Sequence, residues 1–196
     1  MEKIWKSMEK HGIPGRDSYE LPTSEKRFPD KCHYRIEISG VERPSTLEAL
    51  IDEMDKRDVP VHRLISMVMG ATLLTDDELE RFAKMAKDAK LEVIVTPGPR
   101  TFWDLGGQIR TTEGALSGLR FRGSDNLAYV IADIKRAIEF GFKGFLIVDE
   151  GLLWLLNEMR KTGDIPKDVV FKVSILTGHA NPAGARVLEM LGANTF

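Results

Sequence analysis

Four ionisable residues stand where predicted strands could carry them into a reactive site, and they form the candidate catalytic set: Glu37, Asp149, Lys172 and His179. A carboxylate can accept a proton or help to hold a cation, and a histidine exchanges protons near neutral pH. A lysine withdrawn from water can act as a base or form a Schiff base with a carbonyl group. The residue types therefore allow several chemistries, and no spacing among them names one reaction.

Lys172 lies in the middle of an apolar run, between Phe171 and Val173. Its side chain either extends outward along its aliphatic stem or points inward to a carboxylate. Glu37 and Asp149 are the candidate partners. Lys172 can thus be interpreted as half of a structural ion pair, as a functional amine, or as a solvent-facing side chain.

His179 follows the glycine that ends a predicted strand and precedes Asn181. It could serve as a general acid or base or as a metal ligand, or it could be a loop histidine bonded to local backbone. Asp149 and Glu150 could hold a divalent metal together with His179. They could equally complement the dipole of the helix that they begin.

A long segment without clear periodicity separates the third predicted strand from the next helix. It contains the candidate substrate-binding residues, which are Arg100, Trp103, Arg110 and Arg122. With its glycines, this segment could close over a carboxylate or phosphate ligand. Alternatively, its arginines pair with its own acidic residues, Asp104 and Glu113.

The elements that would position these residues alternate between strand and helix patterns. An alternating apolar and polar pattern predicts a strand at residues 33–40, runs of strand length occupy residues 61–70, 91–98, 144–149 and 169–178, and ANTF (193–196) opens a sixth strand. Ser45–Glu48 and Thr75–Glu78 have the form of capping boxes, and Asn181 followed by Pro182 predicts another helix start. Gly163 predicts a helix end. Strand–helix alternation with short connections is typical of a parallel sheet.

Two α/β architectures fit this order, a doubly wound open sheet and a (β/α)8 TIM-type barrel. The first strand lacks the glycine fingerprint of the open nucleotide-binding sheets, and polar residues at strand ends suit a barrel mouth. A complete barrel typically needs ~250 residues. We therefore expect residues 34–196 to form an incomplete barrel, truncated after about five βα units plus the start of strand six. Residues 1–33 would be an N-terminal arm that covers one end of the domain or reaches a partner subunit.

The composition limits the function further. The formal net charge of −2, with 30% charged residues, gives no footprint for nucleic acid, and no apolar run approaches the length of a membrane span. The single cysteine, Cys32, excludes an intrachain disulfide and any multi-cysteine metal or iron–sulfur site within this chain. Any other cofactor is left open. We expect a cytoplasmic protein that binds a small-molecule or peptide substrate, and a homo-oligomer is compatible with the sequence.

Three stretches together resemble bacterial proteins of the collagenase-like peptidase family U-thirty-two: LPTSEKRFPD with YRIEISGVERP, GFLIVDEGLLWLLNEMRK, and DVVFKVSILTGHANPAGARVLEMLGANTF. The likeness covers roughly residues 16–196. It implies a (β/α)8-type barrel that normally continues well past Phe196, and it implies proteolysis of unassigned catalytic type. Some branches of the family serve hydroxylation of RNA or quinone with an iron–sulfur cluster on four cysteines. The family signature E-x-F-x-H-G-x-x-C does not occur here, so no catalytic residue is transferred.

Three functions follow as hypotheses. The first is a barrel hydrolase, a peptidase by resemblance, that acts on a small or peptide-like anionic substrate at the C-terminal mouth of the barrel. The second is a non-catalytic barrel that binds a ligand or partner. The third is an accessory hydroxylase subunit, which would need cysteines outside this sequence.

Overall fold

The computed structural model describes residues 1–68, 70–98, 111–112 and 120–196. At its centre is a five-stranded parallel sheet in which each strand pairs with the next one along the chain. The strands are β1 (Glu37–Ser39), β2 (Arg63–Ser66), β3 (Glu92–Val95), β4 (Gly144–Ile147) and β5 (Val170–Val173). The described helices are α1 (Glu2–Lys10), α2 (Pro44–Arg57), α3 (Asp76–Asp88), α4 (Gly123–Glu139), α5 (Glu150–Thr162) and α6 (Pro182–Leu191). The predicted α/β class is confirmed.

Most of the predicted helix ends are found where the sequence placed them. Thr75 and Glu78 form a reciprocal capping box at the start of α3. The Asn181 side chain caps α6, and Gly163 ends α5 in a left-handed conformation with φ 89°. The capping box predicted at Ser45 is wrong. Pro44 occupies the first turn of α2 and Arg43 is the N-cap, so Ser45 already lies inside the helix.

The predicted fifth strand is shorter than its apolar run. It ends at Val173, because Ser174 Oγ accepts a hydrogen bond from the Leu176 amide at 3.2 Å and turns the chain into a short 3-10 helix, Ile175–Thr177. Beyond α6, Thr195 forms a parallel bridge with Lys172, and the Val173 amide donates to the Thr195 carbonyl at 2.8 Å. Residue 195 therefore continues the parallel pairing order on the far side of β5, as predicted for the start of a sixth strand.

The two faces of the sheet differ in burial. On the helix-covered face, alternate residues such as Leu64, Phe145, Ile147 and Phe171 are buried, and they pack with apolar residues of the helices. The opposite face, here called the inner face, is only partly covered and contains charged residues. Gly144 lies on it, where a Cβ would come within 2.5 Å of the Ile94 side chain. The missing side chain lets β3 and β4 pack closely at this point.

A contact between the two outer strands shows that the sheet is strongly curved. The Lys172 ammonium on β5 lies 3.1 Å from Glu37 Oε2 on β1. The angles at this contact do not fit a hydrogen bond, so the contact is an ion pair. In a flat sheet these strands would be four spacings of about 4.8 Å apart, or ~19 Å, which the two side chains could not span. Lys172 therefore points inward, and of its two predicted partners it meets Glu37.

The N-terminal residues form α1 and an irregular segment, and no residue of α1 is buried. The Arg16 guanidinium lies 4.8 Å from the centre of the Trp5 ring, and a shallow cavity of about 450 Å³ separates this segment from the start of α6. The arm thus folds back beside α6. Among the described helices, none has the length and apolar character needed to cross a membrane.

Replacing Lys172 by methionine leaves Glu37 three-quarters buried beside Arg63, whose Nη1 is 3.7 Å from the same oxygen. We expect the free energy of unfolding to fall by roughly 1–3 kcal/mol, because a partly buried carboxylate loses its nearest cation. Adding Glu37→Gln should recover much of this loss. Chemical denaturation of the two single variants and the double variant measures the coupling.

The control for this cycle is Lys161→Met, which removes an exposed lysine that pairs with Glu158 on the surface of α5. Its effect should be about 0.5 kcal/mol or less. Strict additivity of the Lys172 and Glu37 substitutions would contradict a direct pair.

Candidate functional site

The C-terminal ends of β4 and β5 bring together an acid, a histidine and an arginine. Glu150 is the first residue of α5, and His179 follows the short helix after β5. His179 Nε2 lies 3.1 Å from Glu150 Oε1, and the two side chains are 23% and 31% exposed. Arg120 pairs with both oxygens of Glu150 and also donates to the carbonyl of Val148. The group is half-buried, so part of each side chain is exposed to solvent.

Asp149, the acid predicted to be catalytic, is occupied by backbone amides. It is the N-cap of α5 and accepts hydrogen bonds from Leu152 N at 2.9 Å and from Phe121 N at 3.2 Å. The carboxylate therefore starts the helix and fastens residue 121 to it. A metal site that uses Asp149 together with Glu150 and His179 would have to break these bonds, so the structure does not favour that hypothesis.

His179 has two different ring environments. Because ionised Glu150 accepts a hydrogen bond, the proton of a neutral His179 belongs on Nε2, which leaves Nδ1 as the basic nitrogen. Nδ1 lies over Gly184 in the first turn of α6, where a Cβ would come within 2.7 Å of it. The absence of a side chain at Gly184 lets the His179 ring pack closely against the start of α6.

The pKa of Glu150 is lowered from its ordinary value. Burial alone would raise this pKa, but the hydrogen bonds from its own amide and from His179, together with the charge of Arg120, outweigh burial. Glu150 is therefore ionised at neutral pH. An ionised carboxylate beside Nε2 accepts its hydrogen bond and orients the ring.

The second charged group lies on the inner face and contains the other two predicted catalytic residues, Glu37 and Lys172. Arg63 joins them by bridging Glu37 to Glu92, with Nη2 at 2.7 Å from Glu92 Oε2. Each charge here has a partner of opposite sign. The group can hold the strands together. The contact that the structure shows for the Lys172 ammonium is its ion pair with Glu37, which does not point to a reactive role.

Of the predicted substrate-binding residues, Arg100, Trp103 and Arg110 lie outside the described residues. Arg122 is the N-cap of α4; it is exposed, and its carbonyl accepts a hydrogen bond from the Asn126 side chain at 2.7 Å. Their role in substrate binding stays a prediction.

Two members of the group at the strand ends, Glu150 and Arg120, were not in the predicted catalytic and substrate-binding sets, and Glu150 was considered as a functional group only as a metal ligand beside Asp149. Asp149 and Glu150 are adjacent, and sequence alone does not show which one caps the helix and which one faces a neighbouring strand. A signal was present, because an aspartate before the first helical residue is a common N-cap and glutamate is not. Arg120 could have been singled out only by knowing where its segment returns to the sheet.

A buried carboxylate holds the segments that follow β2 and β3. Asp133 on α4 is 2% exposed and accepts hydrogen bonds from Thr72 N and Gly98 N, both at 3.1 Å. Burial raises its pKa, and the backbone donors work against that rise. Gly70 passes so close that a Cβ would lie 2.5 Å from Asp133 Oδ2, and its φ of 99° also favours glycine.

Comparison with family models, with curated proteins and with solved structures finds no match to the chain. The resemblance to the collagenase-like peptidases therefore remains a hypothesis carried by the sequence stretches alone.

Acid should weaken the Glu150 contact in a predictable pH window. Because the folded-state pKa is lowered, ionised Glu150 stabilises the fold above its unfolded pKa of roughly 4.3, and this contribution is lost as the pH falls through the lowered value. The difference in unfolding free energy between the wild type and Glu150→Gln should therefore be largest near neutral pH and shrink in acid. Denaturation curves from pH 3 to 7 test this, with Glu158→Gln on the same helix as control. A difference that grows in acid would contradict the assigned charge.

Removing the charge of Asp133 should loosen two separate segments at once. An asparagine amide cannot accept at both positions, so Asp133→Asn should cost about 1–3 kcal/mol of stability. Hydrogen exchange should speed up at the amides of Thr72 and Gly98 together. Asp125→Asn, an exposed change on the same helix, is the matched control and should leave both amides unaffected.

Proposed function

We propose that this protein is an α/β barrel-type enzyme that uses Glu150 and His179 as an acid–base pair. The reaction class we favour is hydrolysis of a small or peptide-like anionic substrate, in keeping with the resemblance to collagenase-like peptidases. The observation that carries the proposal is the 3.1 Å contact between these two side chains at the C-terminal ends of adjacent parallel strands. In parallel α/β folds, catalytic groups are drawn from that end.

The barrel geometry is supported by the register of the inner-face ion pair. In the register of the sheet, Glu37 pairs with Arg63, and Arg63 pairs with Glu92. When the β3–β4 and β4–β5 registers are extended by two residues, the corresponding position on the last strand is Asp168. Lys172, which Glu37 contacts, is four residues further along β5. In a barrel of about eight strands and shear 8, strands half a circumference apart are offset by about four residues at the same height. The ion pair has the offset expected across such a barrel.

A second support for the barrel is the placement of the helices. Within the part of the chain that the structure describes, the helices packed against the sheet lie on one face of it, whereas a doubly wound sheet needs helices on both. The inner face instead carries polar and apolar residues that are only partly covered, as expected for part of a barrel interior.

The proposed chemistry follows from the two ring nitrogens of His179. With its proton on Nε2 held by Glu150, neutral His179 can take a proton from water at Nδ1 as the water oxygen attacks a carbonyl carbon. The imidazolium that forms is stabilised by ionised Glu150, and it can then return the proton to the leaving group as the scissile bond breaks. Arg120 keeps Glu150 ionised and fixes its position.

One observation favours the alternative of a non-catalytic binding barrel. Arg120 and His179 together already engage both oxygens of Glu150, and such a closed network also occurs in purely structural clusters. An enzyme and a binding protein differ in whether bound substrate is turned over.

The proposal is tested with a peptide mixture and small amide and ester substrates, with products identified by mass spectrometry. His179→Gln and Glu150→Gln should lower turnover by about 10²-fold or more while peptide binding is retained. Gly184→Ala should also lower turnover, because its methyl group would come within 2.7 Å of Nδ1 and displace the His179 ring. His33→Gln changes an exposed histidine and should have no effect.

Unchanged turnover in His179→Gln would overturn the acid–base assignment. Peptide binding without turnover in the wild type would favour the non-catalytic alternative.

A further inference from the structure

A cavity of about 450 Å³ lies between the N-terminal arm and the first turn of α6. Its volume is within the range of about 300–1,000 Å³ that small-molecule sites usually have. The arm contributes most of the lining, and α6 contributes Asn181, Pro182 and Ala183. Asn181 comes two residues after His179, so the cavity follows the proposed acid–base pair along the chain but includes neither of its members.

The wall that the arm contributes is folded back on itself. After α1 ends, the Ile13 amide donates to the Met8 carbonyl at 3.2 Å. Gly15 then passes so close to α1 that a Cβ would lie 2.9 Å from the Cβ of Trp5. These contacts bring the residues after the helix against the helix itself, so both parts of the arm line one cavity.

The apolar part of the lining offers a surface for a ligand. Trp5 and Ile13 are half-buried, whereas Met8 and Tyr19 are 37% and 91% exposed. Small-molecule sites are typically lined by apolar and aromatic side chains, with a few polar groups that fix the orientation of the ligand. An aromatic or aliphatic group placed here would be partly removed from water.

Two opposite charges, Arg16 and Asp17, line the same cavity. The Arg16 guanidinium lies over the Trp5 ring, 4.8 Å from its centre. Neither charged side chain has a hydrogen-bond or ion-pair partner among the described residues, and the two are not paired with each other. The contact with Trp5 restricts the guanidinium and leaves its N–H groups available to a carboxylate.

The combination of a cation, an anion and an apolar surface limits the chemistry of the ligand. A simple carboxylic acid would be attracted by Arg16 and repelled by Asp17, and an amine would meet the reverse. A zwitterion with an apolar side chain satisfies all three features at once. Free α-amino acids have this chemistry.

We propose that this cavity binds a free α-amino acid with an aromatic or large aliphatic side chain. Arg16 donates to the carboxylate, Asp17 accepts from the ammonium group, and the side chain packs against Met8, Ile13 and Tyr19. Binding of this kind requires no turnover, so the proposal is independent of the proposed hydrolysis.

Titration calorimetry with L-phenylalanine and L-leucine tests the proposal. Phenylalanine amide lacks the carboxylate, N-acetylphenylalanine lacks the ammonium group, and L-alanine lacks the large side chain. Each of these three should bind about tenfold or more weakly than phenylalanine. In NMR spectra, the indole N–H signal of Trp5 should shift as phenylalanine saturates the site.

Single substitutions connect each charge of the ligand to its residue. Arg16→Gln should weaken phenylalanine binding about tenfold and should not weaken binding of the amide, which has no carboxylate to lose. Asp17→Asn should weaken binding of phenylalanine but not of N-acetylphenylalanine. Arg27→Gln removes an exposed arginine of the arm outside the cavity and should have no effect.

A second pair of variants tests the cavity itself. Ala183→Leu fills it from the first turn of α6 and should abolish phenylalanine binding. Ala185→Leu, an exposed position on the same helix outside the lining, should leave binding unchanged.

The proposal would be overturned if neither amino acid bound saturably, or if phenylalanine, its amide and its N-acetyl derivative bound equally well. An Arg16→Gln variant that weakened phenylalanine and its amide to the same extent would also contradict it. All of these readouts are binding measurements, so a failure of the hydrolysis proposal would leave them unchanged.

Discussion

The ion pair between Glu37 and Lys172 is the constraint on which the arrangement of the strands depends. It joins the first and last strands of a sheet whose pairing runs only between neighbours, so it links two strands that no single ladder of hydrogen bonds connects, and it can form only while the sheet is curved. The pair ends a row of alternating charges across the inner face, which runs Asp30, Arg35, Glu92, Arg63, Glu37, Lys172. Because neighbouring members have opposite sign, removing one leaves its neighbours poorly compensated.

The group at the strand ends depends on the same sheet through its helix connections. β4 and β5 are adjacent, and the capped start of α5 holds Glu150 where the segment after β5 brings His179. Asp149 accepts hydrogen bonds from backbone amides, whereas the neighbouring Glu150 contacts His179. The two neighbouring acids have different partners because successive side chains in the first turn of a helix point in different directions.

Helix ends were predicted correctly from the sequence where a single residue determines the local backbone conformation. Gly163, Asn181 and the Thr75 capping box were correctly read, because their side chains, or the lack of one, satisfy the helix ends directly. Ser45 failed because a proline one position earlier competes for the same helix start. The partner of Lys172 could be narrowed to two carboxylates but not chosen, since the choice depends on how far the sheet curls.

Asp133 couples the stability of the two segments whose amides it accepts. The same carboxylate accepts from the segment after β2 and from the segment after β3, and its helix is anchored again where Arg136 donates to the carbonyls of Ala71 and Leu74. When one segment opens, the Asp133 carboxylate loses one of the donors that hold it in place, and the hydrogen bond to the other segment becomes weaker. Their opening is therefore thermodynamically linked, so that a molecule bound against one of them would also raise the free energy needed to open the other.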